Sequence, residues 1–121
     1  NIFTFGGARS ADKDRRMEGV SWWKQEEPRE EELVYGRKKL LGSISEIDYI
    51  VTHETPLSAR ACIKRQKPVD DDYILPNIFE EWYKLCLQEN RFKKWHFGHM
   101  HTDQEITDRL QAVFNQIHQI G

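Results

Sequence analysis

Two short apolar runs, each ending in histidine, constrain this chain more than any other feature. Ile47 to Thr52 leads into His53-Glu54-Thr55-Pro56, and Trp95-His96-Phe97 leads into Gly98-His99-Met100-His101. Runs this brief, bounded by polar residues, suit buried parallel strands better than helices. Between them Ile78, Trp82, Leu85 and Cys86 repeat at helical spacing, and Asn77 with Glu80 has the spacing of a capping pair, which predicts a helix over 77–89. Strand, helix and strand in succession argue for α/β layers. In open α/β sheets ligands gather beyond the carboxyl ends of the strands, where both histidine segments fall.

The flanking regions extend the pattern. Asn1 to Phe5 reads as the end of a strand, Gly6-Gly7 as a turn, and Arg9 to Arg16 as a polar loop. A helix is expected to open at Glu26-Glu27-Pro28 and stop at Gly42. Glu30, Glu31 and Glu32 match the positive end of its dipole, and Arg37, Lys38 and Lys39 the negative end. Leu57 to Leu75 has no clean period and reads as an irregular excursion. Its triplet Asp70-Asp71-Asp72 lacks the glycine and terminal glutamate of an EF-hand loop and reads as solvated.

Neutral imidazole ligates zinc, iron, nickel and copper, and a glycine ahead of His99-Met100-His101 lets the backbone turn tightly. His53, His99 and His101 are therefore the candidate metal ligands. His96 alternates with Trp95 and Phe97 inside a strand and reads as a packed or surface residue, and His118 as a surface one. In the N-terminal loop Arg9, Lys13 and Arg16 have the chemistry of phosphate contacts, while Ser10 and Asp12 can orient a cation or a water. Solvation is the plain alternative for all five. Trp22 and Trp23 either line a cleft or pin this loop to the core.

Thr52-His53-Glu54-Thr55-Pro56 and Gly98-His99-Met100-His101 resemble, in order and separation, the last two metal-binding motifs of the calcineurin-like metallophosphoesterases. Phe3 to Lys13, with Arg16 and Ser21-Trp22-Trp23, resembles a stretch that some bacterial members carry before the histidine loop. The earlier motifs of the family do not occur: there is no Asp-x-His and no Gly-Asn-His. The resemblance thus implies that residues 1–121 form the C-terminal part of a single metallophosphoesterase domain, half of a four-layer α/β/β/α sandwich, with a strand within 112–120. It implies two divalent metal ions (Mn, Fe, Zn or similar) in the complete enzyme, His53 and His99 on one and His101 on the other. The bridging carboxylate, an asparagine ligand and the general-acid histidine would come from the N-terminal half, and the substrate would be a phosphoester, with Arg9, Ser10, Asp12 and Arg16 nearest to it.

Composition narrows the alternatives. A formal net charge of -2 gives no global attraction to nucleic acid or anionic membrane. With 31% charged and 38% hydrophobic residues the chain is polar for one that closes its own core, as expected of half a domain. Two cysteines, Cys62 and Cys86, suit reduced thiols in a cytoplasmic protein, and no run approaches a membrane span. Two other readings stand beside the hydrolase. One is a mononuclear three-histidine zinc site of a hydrolase or lyase. The other is a non-catalytic module that binds another chain through an uncovered apolar surface.

Overall fold

A computed structural model describes residues 1–10, 16–20, 23–63 and 69–120. Asp12, Lys13 and Trp22 lie outside these residues. The chain folds as α/β: strands β1 (Ile2–Phe5), β2 (Tyr49–Thr52), β3 (Lys94–Phe97), β4 (Gln104–Thr107) and β5 (Leu110–Ala112), with helices α1 (Glu30–Ser43), α2 (Leu57–Ala61) and α3 (Leu75–Glu89). One sheet runs in the order β1-β2-β3-β5-β4. β1, β2, β3 and β5 are mutually parallel, and β4 pairs antiparallel with β5 at the edge.

The register explains which face is buried. Phe3, Ile50, Trp95 and Leu110 lie abreast, as do Phe5, Thr52, Phe97 and Ala112 one pleat further on. These side chains meet α3, whose Phe79 and Trp82 are fully buried. Phe3 and Phe5 stand edge-on to Trp82, and Phe79 and Tyr83 pack on Trp95. Burial of each such aromatic contributes about 1.5–3 kcal/mol. α1 comes in so close that a Cβ on Gly36 would overlap the Phe5 ring. The opposite face is covered more thinly. There residues 113–120, without regular structure, pass over His96, leaving an open cavity of about 650 Å³ lined by Thr4, Val51, His96, Val113, His118 and Ile120.

Several local expectations change. The segment 57–75 contains the short helix α2, and α3 begins at Leu75 with Pro76 in its first turn, so Asn77 and Glu80 do not cap it. Glu80 accepts a hydrogen bond from the Ser58 amide instead, tying α2 to α3. α1 starts at Glu30, after a 3-10 turn over Lys24–Glu26, and is capped by Arg29 and Glu32; it runs past Gly42, so no basic residue occupies its last turn. The strand expected within 112–120 ends at Ala112, and Ile117 is wholly exposed. The β4–β5 hairpin was not anticipated. Among the described residues no helix is long and apolar enough to cross a membrane.

Candidate metal centre

Because β2 and β3 are adjacent and parallel, with Thr52 beside Phe97, the residues that follow them emerge at the same edge of the sheet. His53 follows Thr52 directly, and Gly98 folds back on it, its amide donating to the His53 carbonyl at 3.1 Å. Nothing larger than glycine fits comfortably there: a Cβ on residue 98 would lie 3.2 Å from His53 Nδ1. The next residue then brings its imidazole onto that of His53. His99 Nδ1 and His53 Nε2 are 3.2 Å apart.

The Gly98–His101 turn is bent against ordinary preference. His99 (φ 66°) and His101 (φ 51°) both occupy the left-handed region, at a cost of about 1–2 kcal/mol for each non-glycine residue. Met100, buried between them, anchors the turn in the core, and its amide donates to the Gly98 carbonyl at 2.7 Å. His101 stacks on Phe114 with ring centroids 4.9 Å apart. Phe114 is held there because Asp103 accepts hydrogen bonds from the amides of Phe114, Asn115 and Gln116. Of the three candidate ligands the structure therefore brings His53 and His99 together, while His101 faces its aromatic neighbour. Among the described residues no group of three or more His, Cys, Asp or Glu side chains is arranged to hold a metal ion.

Behind His99 lies a carboxylate for which the sequence offered no signal. Glu54 is fully buried, and its Oε2 is 3.7 Å from His99 Nε2, the nitrogen on the far side of the ring from His53. Its oxygens accept hydrogen bonds from Tyr73 Oη at 2.5 Å and from the Thr55 amide at 2.9 Å, and Arg60 Nη1 stands 3.6 Å away. Burial holds the His99 imidazole below its ordinary pKa; Glu54 opposes that shift, and His53, Arg60 and His101 add to it. Burial, reinforced by Glu54, raises the Tyr73 phenol well above its usual range. Both groups are thus neutral near pH 7, which leaves the His99 ring a nitrogen lone pair to offer.

The N-terminal loop forms the opposite wall. A cavity of about 380 Å³ is lined by Gly7, Ala8, Ser10, Gln25, Glu26, His53 and His99. Gly7, at φ 97°, passes so near Glu26 and Pro28 that a Cβ would sit 2.8 Å from the Glu26 carbonyl. Ser10 donates from its amide (2.9 Å) and its hydroxyl (2.6 Å) to the Glu26 carboxylate. Arg9, expected to reach a substrate phosphate, is instead engaged by protein carboxylates. Its guanidinium meets Glu27 at 2.9 Å and Asp72 at 2.8 Å, lies 3.4 Å from Asp70, and covers the Tyr73 ring. The acidic triplet is solvent-exposed, as expected, even where it pairs with Arg9. Arg16 is exposed, and Trp23 is half exposed rather than pinned in the core.

The spacing of the imidazole pair is that of a hydrogen bond between the rings and is equally compatible with two nitrogens on a single ion. Neighbouring nitrogens about 2.1 Å from one metal lie about 3.0–3.4 Å apart. The donors of a second ion are not assembled beside them among the described residues. Compared with known proteins, the chain matches no family model, no curated protein and no solved structure.

Proposed function

We propose that this chain contributes imidazole ligands to a metal-dependent phosphoester hydrolase of the metallophosphoesterase kind, within a four-layer sandwich completed by further chain. The observation that carries the reading is the 3.2 Å approach of His99 Nδ1 to His53 Nε2 at the carboxyl edge of adjacent parallel strands. The thinly covered sheet face is where a second sheet would pack. When bound, divalent metal would supply Lewis-acid polarisation of a phosphoryl oxygen and activation of water.

The chain's own residues have definable parts. His53 and His99 would hold one ion, His99 through Nδ1. His101 would reach a second ion only by leaving Phe114, and that site would need carboxylates from the remainder of the domain. Ser10 lines the same cavity and is the N-terminal side chain best placed to meet substrate, whereas Arg9 acts by fixing the loop. A cytoplasmic location would suit the two free thiols, Cys62 and Cys86.

The test is titration of the chain with Mn²⁺, Zn²⁺ or Co²⁺, read by calorimetry and by the Co²⁺ absorption spectrum, alongside hydrolysis of chromogenic phosphomono- and diesters. Weak binding that is lost in His53→Ala and His99→Ala but kept in His118→Ala is expected, with negligible turnover by residues 1–121 alone. Binding indifferent to His53 and His99 overturns the proposal. The one-ion spacing also favours a second reading, a mononuclear zinc site. Robust turnover by residues 1–121 alone, abolished by His101→Ala, would establish it.

A further inference from the structure

We propose that Glu54 is a positioning residue for His99: it fixes the proton on Nε2, turns Nδ1 toward His53, and through Tyr73 ties the ring to the N-terminal loop. The inference deepens the metal reading and rests on it for its consequence.

A fully buried carboxylate is costly unless held by donors. Here each oxygen receives one hydrogen bond, from the Thr55 amide and from Tyr73 Oη. Arg60 supplies opposite charge from just beyond hydrogen-bond distance, its buried Nε and Nη1 having no hydrogen-bond partner among the described residues. The oxygen bound by Tyr73 is also the one nearest His99 Nε2. A neutral imidazole carries one N–H, and a carboxylate 3.7 Å from Nε2, just beyond hydrogen-bond distance, favours its placement there through charge. The Nδ1 lone pair then faces His53 Nε2 at 3.2 Å, where it accepts a hydrogen bond from that ring or, with the His53 proton moved to Nδ1, is offered to an ion shared by both rings. Ligating histidines commonly hold a carboxylate on their second nitrogen, and loss of that partner weakens metal binding by about 10- to 100-fold.

Tyr73 extends the arrangement. Its oxygen donates to Glu54 and accepts from the Arg9 amide at 2.9 Å, while the Arg9 side chain lies over its ring. The wall of the cavity and the orientation of His99 are thus joined through one phenol. Displacement of the 6–10 loop should be felt at the imidazole.

The test uses the full chain. In metal-free ¹⁵N-labelled protein, long-range ¹H–¹⁵N spectra report which nitrogen of His99 carries the proton. Nε2–H is expected in the wild type, with a shift toward Nδ1–H in Glu54→Gln and a smaller shift in Tyr73→Phe. Tyr73→Phe preserves the ring and serves if Glu54→Gln does not fold. Zinc affinity should fall about 10- to 100-fold in Glu54→Gln and less in Tyr73→Phe. Wild-type His99 protonated on Nδ1, or a tautomer unchanged in both variants, overturns the positioning role. A tautomer shift in a chain that binds no zinc upholds that role and removes the metal reading; zinc binding with an unchanged tautomer does the reverse.

Discussion

His53 with His99, and His96 with His118, are both pairs of neighbouring imidazoles, with ring centroids 5.0 and 5.8 Å apart. The first pair lies past the strand ends, one nitrogen facing another, with a buried carboxylate behind it and a cavity in front. The second lies on the thinly covered sheet face, where His96 Nδ1 and His118 Nε2 are buried without hydrogen-bond partners among the described residues and the Tyr49 ring lies 6.5 Å from that of His96. Proximity of two imidazoles is therefore not what distinguishes a candidate centre. Strand topology aims the nitrogens of the first pair at each other with Glu54 behind one of them, whereas Asp103 acts on His118 through charge without a hydrogen bond to its buried nitrogen among the described residues.

The largest effect expected from this contrast is on metal affinity. His53→Ala or His99→Ala should reduce Zn²⁺ binding beyond the roughly 100-fold upper end for loss of a supporting partner, whereas His96→Phe and His118→Ala should leave it within about twofold. Calorimetry decides, and equal losses at both pairs would erase the distinction. Gly98→Ala sharpens it without removing a ligand. The added Cβ, 3.2 Å from His53 Nδ1, must displace that exposed ring slightly, so binding should weaken about tenfold while denaturant stability changes by about 0.5 kcal/mol or less.

The second pair should declare itself through pH. Burial, His118 and Lys94 depress the pKa of His96 below its ordinary 6.5. Between its folded and unfolded values the unfolded chain binds more protons, so the stability contributed by neutral His96 is full above pH 6.5 and is lost as pH falls toward the folded pKa. Urea titrations from pH 7.5 to 5 should show this decline, and His96→Phe should flatten it. The smallest effect belongs to His101→Gly. It relieves a left-handed conformation and forfeits one exposed ring stack, for a net gain of up to about 1 kcal/mol in urea denaturation. A loss of stability there would mean that the Phe114 stack outweighs the backbone strain.

β2, β3 and α3 were legible in sequence because their apolar periods are clean and their flanks polar. The meeting of His53 with His99 was legible for a related reason: adjacent parallel strands must end at one edge. β4 escaped because Gln104, Glu105 and Thr107 are exposed and only Ile106 turns inward, so no alternation shows. Val113, Ile117 and Ile120 misled in the other direction, since apolar spacing does not reveal that Ile117 packs against nothing. Glu54 and Tyr73 were illegible as a site. Their contact spans 19 positions of sequence, and a glutamate beside a histidine gives no sign that it will be buried and will face a different histidine.

The two facing imidazoles are separated by 46 positions along the chain. They cannot meet until the crossover from β2 through α2 and α3 to β3 has closed, a late event for a parallel sheet dominated by distant pairings. Under the proposed metal reading the pair would also be a clock for assembly. Metal added to refolding chain would be captured only after that crossover forms, so the time at which capture begins marks the moment when the strands come into register.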